Sequence, residues 1–71
     1  MEKNIQSLFN LLDSDQQKNL IIEMSNYFKM KPLSIRNNWF SSYKEIPKRN
    51  QAEVLTMLQR KIKLINLTPQ L

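Results

Sequence analysis

The sequence predicts an all-α fold: a single compact domain of four helices, or five at most, over residues 1–71. Its apolar residues recur at spacings of three and four, which is the period of an amphipathic helix. The 71 residues include no Gly, whereas the favoured β-hairpin turns depend on Gly to reach positive φ. A chain of this length supplies one small domain and is too short for two.

Two helices are predicted in the first part of the chain. The first covers residues 2–12, and its apolar face consists of Ile5, Leu8, Phe9 and Leu12. Ser14 and Gln17 then have the spacing of a capping box, in which the Ser oxygen accepts from a backbone amide and the Gln reaches back. A second helix is therefore predicted over residues 15–29, with an apolar face of Leu20, Ile21, Met24, Tyr27 and Phe28. We assign both faces to the core.

Two prolines mark where the next helices begin. Pro is favoured at the first position of a helix and disfavours helical geometry in the residue before it. Pro32 therefore predicts a third helix over residues 32–42, with Ile35 and Trp39 on its inner face. A fourth, C-terminal helix is predicted over about 47–66; it begins either at Pro47 or at Asn50, which opens a second capping-box pattern. Its apolar residues are Val54, Leu55, Leu58, Ile62 and Ile65.

The composition excludes several classes of function. Without Cys or His, the chain has neither a thiolate nor an imidazole for catalysis or for binding a metal ion. Without Gly, it cannot form the phosphate-binding loops of nucleotide enzymes. We therefore expect a binding protein rather than an enzyme, with no catalytic residue, metal, cofactor or small-molecule substrate.

Hydropathy indicates a protein that does not enter membranes. The longest apolar run covers residues 20–22, far short of the roughly 20 residues of a membrane span. The first residues are not followed by the apolar core of a secretion signal. We expect a cytoplasmic protein.

Charge is distributed unevenly along the chain. Residues 1–28 hold two lysines against four carboxylates, a sum of −2, while residues 29–71 hold nine Lys and Arg against two Glu, a sum of +7. A lysine-rich surface exposed to water would account for this pattern. A surface that binds a polyanion would also account for it, because neutralised phosphates supply most non-specific affinity for nucleic acids.

Residues 20–42 have the organisation of a helix-turn-helix, in which two helices are joined by a tight turn. Apolar Met24 and small Ser25 lie in the middle of the first of these helices. Phe28 closes that helix, Met30 fills the turn, and Ile35 anchors the second helix.

This pattern resembles the lambda-repressor/Cro-like helix-turn-helix family of small phage and mobile-element regulators. The family has a small residue where Ser25 stands, and apolar anchors at the positions of Met24, Phe28, Met30 and Ile35. The following residues 38–51 are similar to small members that continue with Trp, a polar loop, Ile-Pro and a helix opening on a Gln-containing turn. The resemblance covers roughly residues 20–62.

The sequence departs from the family pattern at two positions. Lys29 occupies the turn position that is usually Gly, so it must adopt the left-handed conformation at some cost or be bypassed by a longer turn. The late apolar anchor falls on Trp39 rather than on Asn38.

The resemblance implies that the third helix reads double-stranded DNA from the major groove. The implied base-reading residues are Leu33, Ser34, Arg36, Asn37 and Asn38. The implied phosphate contacts, which fix orientation without reading sequence, are Lys29, Lys31, Lys44, Lys48 and Arg49. Alternatives stay open for single residues: the two asparagines could be merely exposed, and Arg36 could pair with Glu23 or Glu45. Single-stranded nucleic acid would need exposed aromatic rings, which Phe40 and Tyr43 could supply.

The end of the fourth helix predicts a homodimer contact. Leu55, Leu58, Ile62 and Ile65 recur at heptad spacing, but two heptads are too few for an independent coiled coil. The candidate dimerisation residues are Ile62, Leu64, Ile65 and Leu67. Packing within the monomer is the alternative for the same residues.

Two functions are therefore compared. The first is a phage-type transcriptional regulator, a repressor or activator that binds DNA as a dimer in the cytoplasm or nucleoid of a bacterial host cell. The alternative is a small helical protein–protein interaction module, such as a phage-encoded inhibitor, an adaptor or a virion component. In that case the positive half would meet an acidic protein surface.

Overall fold

The computed structural model describes residues 2–41 and 46–67, and the side chains of residues 5–41 and 46–65. Its helices are α1 (Glu2–Asn10), α2 (Ser14–Phe28), α3 (Pro32–Ile35) and α4 (Lys48–Leu67), and a π-helix, Arg36–Ser41, continues α3 directly. The described residues contain no strand. The predicted all-α fold is confirmed, and every helix begins within two residues of its predicted start.

One apolar core joins all the helices. The largest fully buried side chains among the described residues are Leu20, Met24, Ile35, Val54 and Leu58. The face predicted for α1 also packs into this core, with Phe9 4% exposed. The assignment of Tyr27 to the core is wrong, because this residue is 56% exposed. Its ring lies edge-on to Phe28 with centroids 4.9 Å apart, at the border of the apolar face.

The start of α2 lies one residue earlier than predicted. Asp13, rather than Ser14, is the N-cap: its Oδ1 accepts from the Gln16 amide, and Gln16 Oε1 accepts from the Asp13 amide, both at 2.9 Å. This shift leaves Gln17 available for the end of α1. Gln17 Nε2 donates to the carbonyl oxygens of Phe9 and Leu12, at 3.0 and 3.1 Å. One overlapping set of polar residues thus caps two helix ends that would otherwise have unsatisfied backbone groups.

Lys29 ends α2 in the left-handed conformation, with φ 60° and ψ 42°. Of the two possibilities for a turn without Gly, the chain therefore adopts the strained one. The Met30 amide donates to the Ser25 carbonyl oxygen at 3.1 Å, the six-to-one hydrogen bond of a Schellman motif. Met30 also packs against the core, as this motif commonly requires. The connection to Pro32 is consequently only three residues long.

We expect Lys29→Gly to raise the free energy of unfolding by about 1 kcal/mol, because Gly adopts positive φ without the clash of a Cβ. Urea denaturation followed by circular dichroism measures the change. Lys29→Ala is the matched control, since it removes the same charge and keeps the Cβ. A Gly variant no more stable than the Ala variant would contradict the assignment of strain to this residue.

The third helix differs from the regular α-helix predicted over residues 32–42. It begins at Pro32 as expected, then widens into the π-helix, and residue 42 lies outside the described residues. Because a π turn takes one residue more than an α turn, residues four and five after Ile35 both face the core. Trp39 is 5% exposed, with its ring edge-on to Phe28 at 5.2 Å. Phe40, half-buried, stacks on Phe9 with ring centroids 4.0 Å apart.

Of the two predicted starts of the fourth helix, the structure has the earlier. α4 begins directly after Pro47 and continues through Asn50, whose amide donates to the Pro47 carbonyl oxygen at 2.8 Å. Gln51 Nε2 donates to the carbonyl oxygen of buried Ile46 at 3.0 Å. α4 then packs against both α1 and α2. None of the described helices is long and apolar enough to cross a membrane.

Candidate nucleic-acid interface

The candidate interface is built on the packing of α2 against α3. Ser25 is 8% exposed, and its hydroxyl donates to the Ile22 carbonyl oxygen at 2.8 Å. A small, internally bonded side chain at this position lets the backbone of the next helix approach closely. Met24 and Ile35 are fully buried on either side of the turn, and Met30 is half-buried within it. The residues predicted to anchor a helix-turn-helix therefore all lie in or against the core.

The outer face of the third helix carries the predicted base-reading residues. Leu33 is 67% exposed, and Asn37 and Asn38 are also exposed. Ser34 and Arg36 are half-buried. The structure thus brings all five onto α3 and the π-helix, with the three most accessible at positions 33, 37 and 38.

Four of the five predicted phosphate contacts are exposed: Lys29, Lys31, Lys48 and Arg49. Lys44 lies outside the described residues. Between Glu23 and Glu53, the described part of the chain carries five cationic side chains and no carboxylate. The turn, the third helix and the start of α4 are therefore uniformly positive over the residues that the structure describes.

The carboxylate of Glu23 is engaged away from the third helix. Glu23 Oε2 forms a salt bridge with Lys61 Nζ on α4, at 2.9 Å. Glu23 is 52% exposed, so the pair contributes little to stability. Its position excludes one of the two partners considered for Arg36; the other, Glu45, lies outside the described residues.

The candidate dimerisation residues are divided between the core and the surface. Ile62 and Ile65 are half-buried against the core, so they contribute to packing within the monomer. Leu64 is 59% exposed. Leu67 ends α4, and its side chain is outside the described set. The aromatic residues suited to single-stranded nucleic acid are similarly limited, since Phe40 packs on Phe9 and Tyr43 is not described.

Two residues of this region were missed in the sequence. Ile22, which ends the apolar run 20–22, is 43% exposed, and Lys18 lies one turn before it on α2. The helical period supplies the signal that could have found Ile22. It lies about 160° around the helix from Met24 at 100° per residue, well off the stripe formed by Leu20 and Met24. Both residues line a surface groove that the packing of α3 creates.

No family model, no curated protein and no solved structure matches this chain. The resemblance to the lambda-repressor/Cro-like family therefore stays a prediction made from the residues of the chain. The fold that the structure defines is an all-α domain of four helices, the third extended by a π-helix.

Proposed function

We propose that this protein binds double-stranded DNA in a sequence-specific manner, as a transcriptional regulator of the phage type. The helix that begins at Pro32 would lie in the major groove. The observation that carries the proposal is the turn between α2 and this helix. Ser25 is buried, Lys29 takes the left-handed conformation, and the helix that follows exposes a polar face. This turn supports an arrangement of α2 and the third helix like that of a helix-turn-helix.

The exposed side chains supply suitable chemistry for reading bases. The Asn37 side-chain amide can bind adenine in a bidentate manner, with its nitrogen donating to N7 and its oxygen accepting from the N6 amino group. Arg36 can fork onto guanine O6 and N7 or bind a phosphate. Leu33 offers an apolar contact to a thymine methyl group. Asn38 and Ser34 would add polar contacts at either end of this face.

The positive charge would supply most of the affinity. Lys29 and Lys31 lie in the turn and immediately before Pro32, and Lys48 and Arg49 open α4. Each phosphate that they neutralise should add about 0.9 to the slope of log K against log salt concentration. These contacts would orient the protein on the duplex, whereas the third helix would select the sequence.

Selection from a random duplex library at about 150 mM salt tests the proposal directly. We expect a defined motif to be enriched and the affinity to fall steeply as salt rises. A homodimer, formed through the end of α4, would give two half-sites spaced by about one helical turn of DNA. Absence of enrichment together with a salt slope near zero would reject DNA binding, and capture of a protein partner would then favour the interaction-module alternative.

We expect Asn37→Ala to reduce the preference for the selected duplex over a random one by about tenfold or more, because each bidentate base contact contributes about 1–3 kcal/mol of discrimination. Fluorescence anisotropy with both duplexes measures this ratio. Lys48→Ala is the comparison variant, and it should weaken binding to both duplexes equally. An unchanged ratio in the Asn37 variant would exclude this residue as a base reader.

A further inference from the structure

A groove lies between α2 and α3 on the surface of the domain, with a volume of about 360 Å³. Its lining consists of Lys18, Ile21, Ile22, Pro32, Leu33 and Arg36. These residues span roughly one turn of each helix. The groove is partly open to solvent, so it suits a side chain presented by another macromolecule better than an enclosed small ligand.

The floor of this groove is apolar and accessible. Ile22 and Leu33 are 43% and 67% exposed, Pro32 is also exposed, and buried Ile21 lies beneath them at the bottom of the groove. DNA base edges offer few apolar groups apart from thymine methyls. A duplex can therefore account for Leu33 but not for Ile22, which lies on α2, outside the proposed base and phosphate contacts. The complementary surface for this floor is an aliphatic or aromatic side chain.

The polar part of the groove is cationic. Lys18 on α2 and Arg36 on the π-helix both contribute to the lining, and no carboxylate does. Burying an apolar side chain between two cations favours a partner that places carboxylates beside that side chain. An amphipathic helix provides this combination on one face, with apolar residues at i and i+4 and acidic residues next to them.

We propose that this groove binds an acidic amphipathic helix of a partner protein. One or two large apolar side chains of the partner occupy the space between Ile22 and Leu33, and flanking carboxylates pair with Lys18 and Arg36. The binding does not depend on the proposed function. Because Leu33 and Arg36 are also proposed DNA contacts, a partner bound here would exclude a duplex from the same face.

A designed helical peptide of about 14 residues tests this proposal; it carries leucines at i and i+4 flanked by glutamates. Two control peptides replace either the leucines by Ser or the glutamates by Lys. Calorimetric titration of the intact protein should show binding of the acidic, leucine-containing peptide only. In methyl NMR spectra, the resonances of Ile22 and Leu33 should shift on its addition.

Ile22→Ser should weaken binding of this peptide by about tenfold or more, because it removes most of the apolar surface on one side of the groove. Leu11→Ser is the matched control, since Leu11 is 71% exposed and does not line the groove. Lys18→Glu is a second variant at an exposed position, and it should largely remove the preference for the acidic over the basic peptide, because Arg36 is then the one cation left in the lining.

Several results would overturn the proposal. They are an absence of binding by the acidic peptide, equal binding of the basic peptide, and an Ile22 variant that binds as well as the unaltered protein. Self-association of the protein that Ile22→Ser abolishes would assign the groove to a second copy instead. A loss of duplex affinity in the Ile22→Ser variant would assign Ile22, and with it the groove, to nucleic acid. Failure of duplex binding alone leaves the peptide result unaffected, so the two proposals are separately decided.

Discussion

Replacing Leu58 by Ala is expected to lower the free energy of unfolding by about 3 kcal/mol. The Leu58 side chain is fully buried where α4 meets the rest of the core, which includes Met24 and Ile35. Removing its terminal carbons loses the free energy of transfer from water and leaves a cavity that neighbouring helices fill only in part. A domain of this size has a total stability of about 5 kcal/mol, so the variant should unfold at a much lower urea concentration.

Leu11→Ala provides the control for this loss. It makes the same chemical change at a side chain that is 71% exposed and is not among the candidate dimerisation residues. We expect a change within about 0.5 kcal/mol, as for most surface substitutions. Urea denaturation curves of both variants, followed by far-ultraviolet circular dichroism, measure the difference. Similar losses in the two variants would mean that α4 does not pack through the face assigned to it.

Reversing two charges, as Lys31→Glu with Arg49→Glu, is expected to weaken duplex binding by roughly a hundredfold at low salt. Both side chains are exposed, one immediately before the third helix and one in the first turn of α4. If each contacts one phosphate, the slope of log K against log salt concentration should also become shallower by about 2. Fluorescence anisotropy over a series of salt concentrations gives both quantities.

The double variant Arg60→Glu with Lys63→Glu separates a local contact from bulk charge. It changes the net charge by the same amount, at two exposed positions further along α4 that are not among the proposed contacts. We expect its loss of affinity to be much smaller and its salt slope to be nearly unchanged. Equal losses in the two double variants would show that the net charge, rather than the proposed surface, governs binding to DNA.

The positions of the helices could be predicted because their signals are local. Apolar spacing and the two prolines depend only on neighbouring residues, and they placed Leu20, Met24, Val54 and Leu58 in the core. The predicted N-cap of α2, Ser14, was wrong by one residue, because Asp and Ser are both favoured at this position. With Asp13 as the N-cap, Gln16 completes the capping box, and the Gln17 amide is left to cap the end of α1. The hydrogen bond from Gln17 to Phe9 joins residues eight apart, so a capping-box pattern, which joins residues three apart, does not predict it.

The π-helix and the groove depend on contacts between helices, and so a pattern within one helix does not contain them. The widening after Ile35 accompanies the packing of Trp39 and Phe40 against rings from α1 and α2. The helical period of α2 directs Ile22 away from the core, but its place in a groove depends on how α3 packs beside it. For the candidate site, the exposed face of the third helix could be predicted from the helical period. The roles of its residues could not, because they depend on atoms of a second molecule.

The short connection between α2 and α3 has a consequence for how the domain folds. Its conformation is set by the left-handed Lys29, by the hydrogen bond from Met30 to Ser25 and by the fixed φ of Pro32, all within eight residues of one another. Contacts this close in sequence cost little loop-closure entropy. We therefore expect the α2–α3 pair to be structured in the transition state, with α4 joining later, so that Ile35→Val slows folding while Val54→Ala mainly accelerates unfolding.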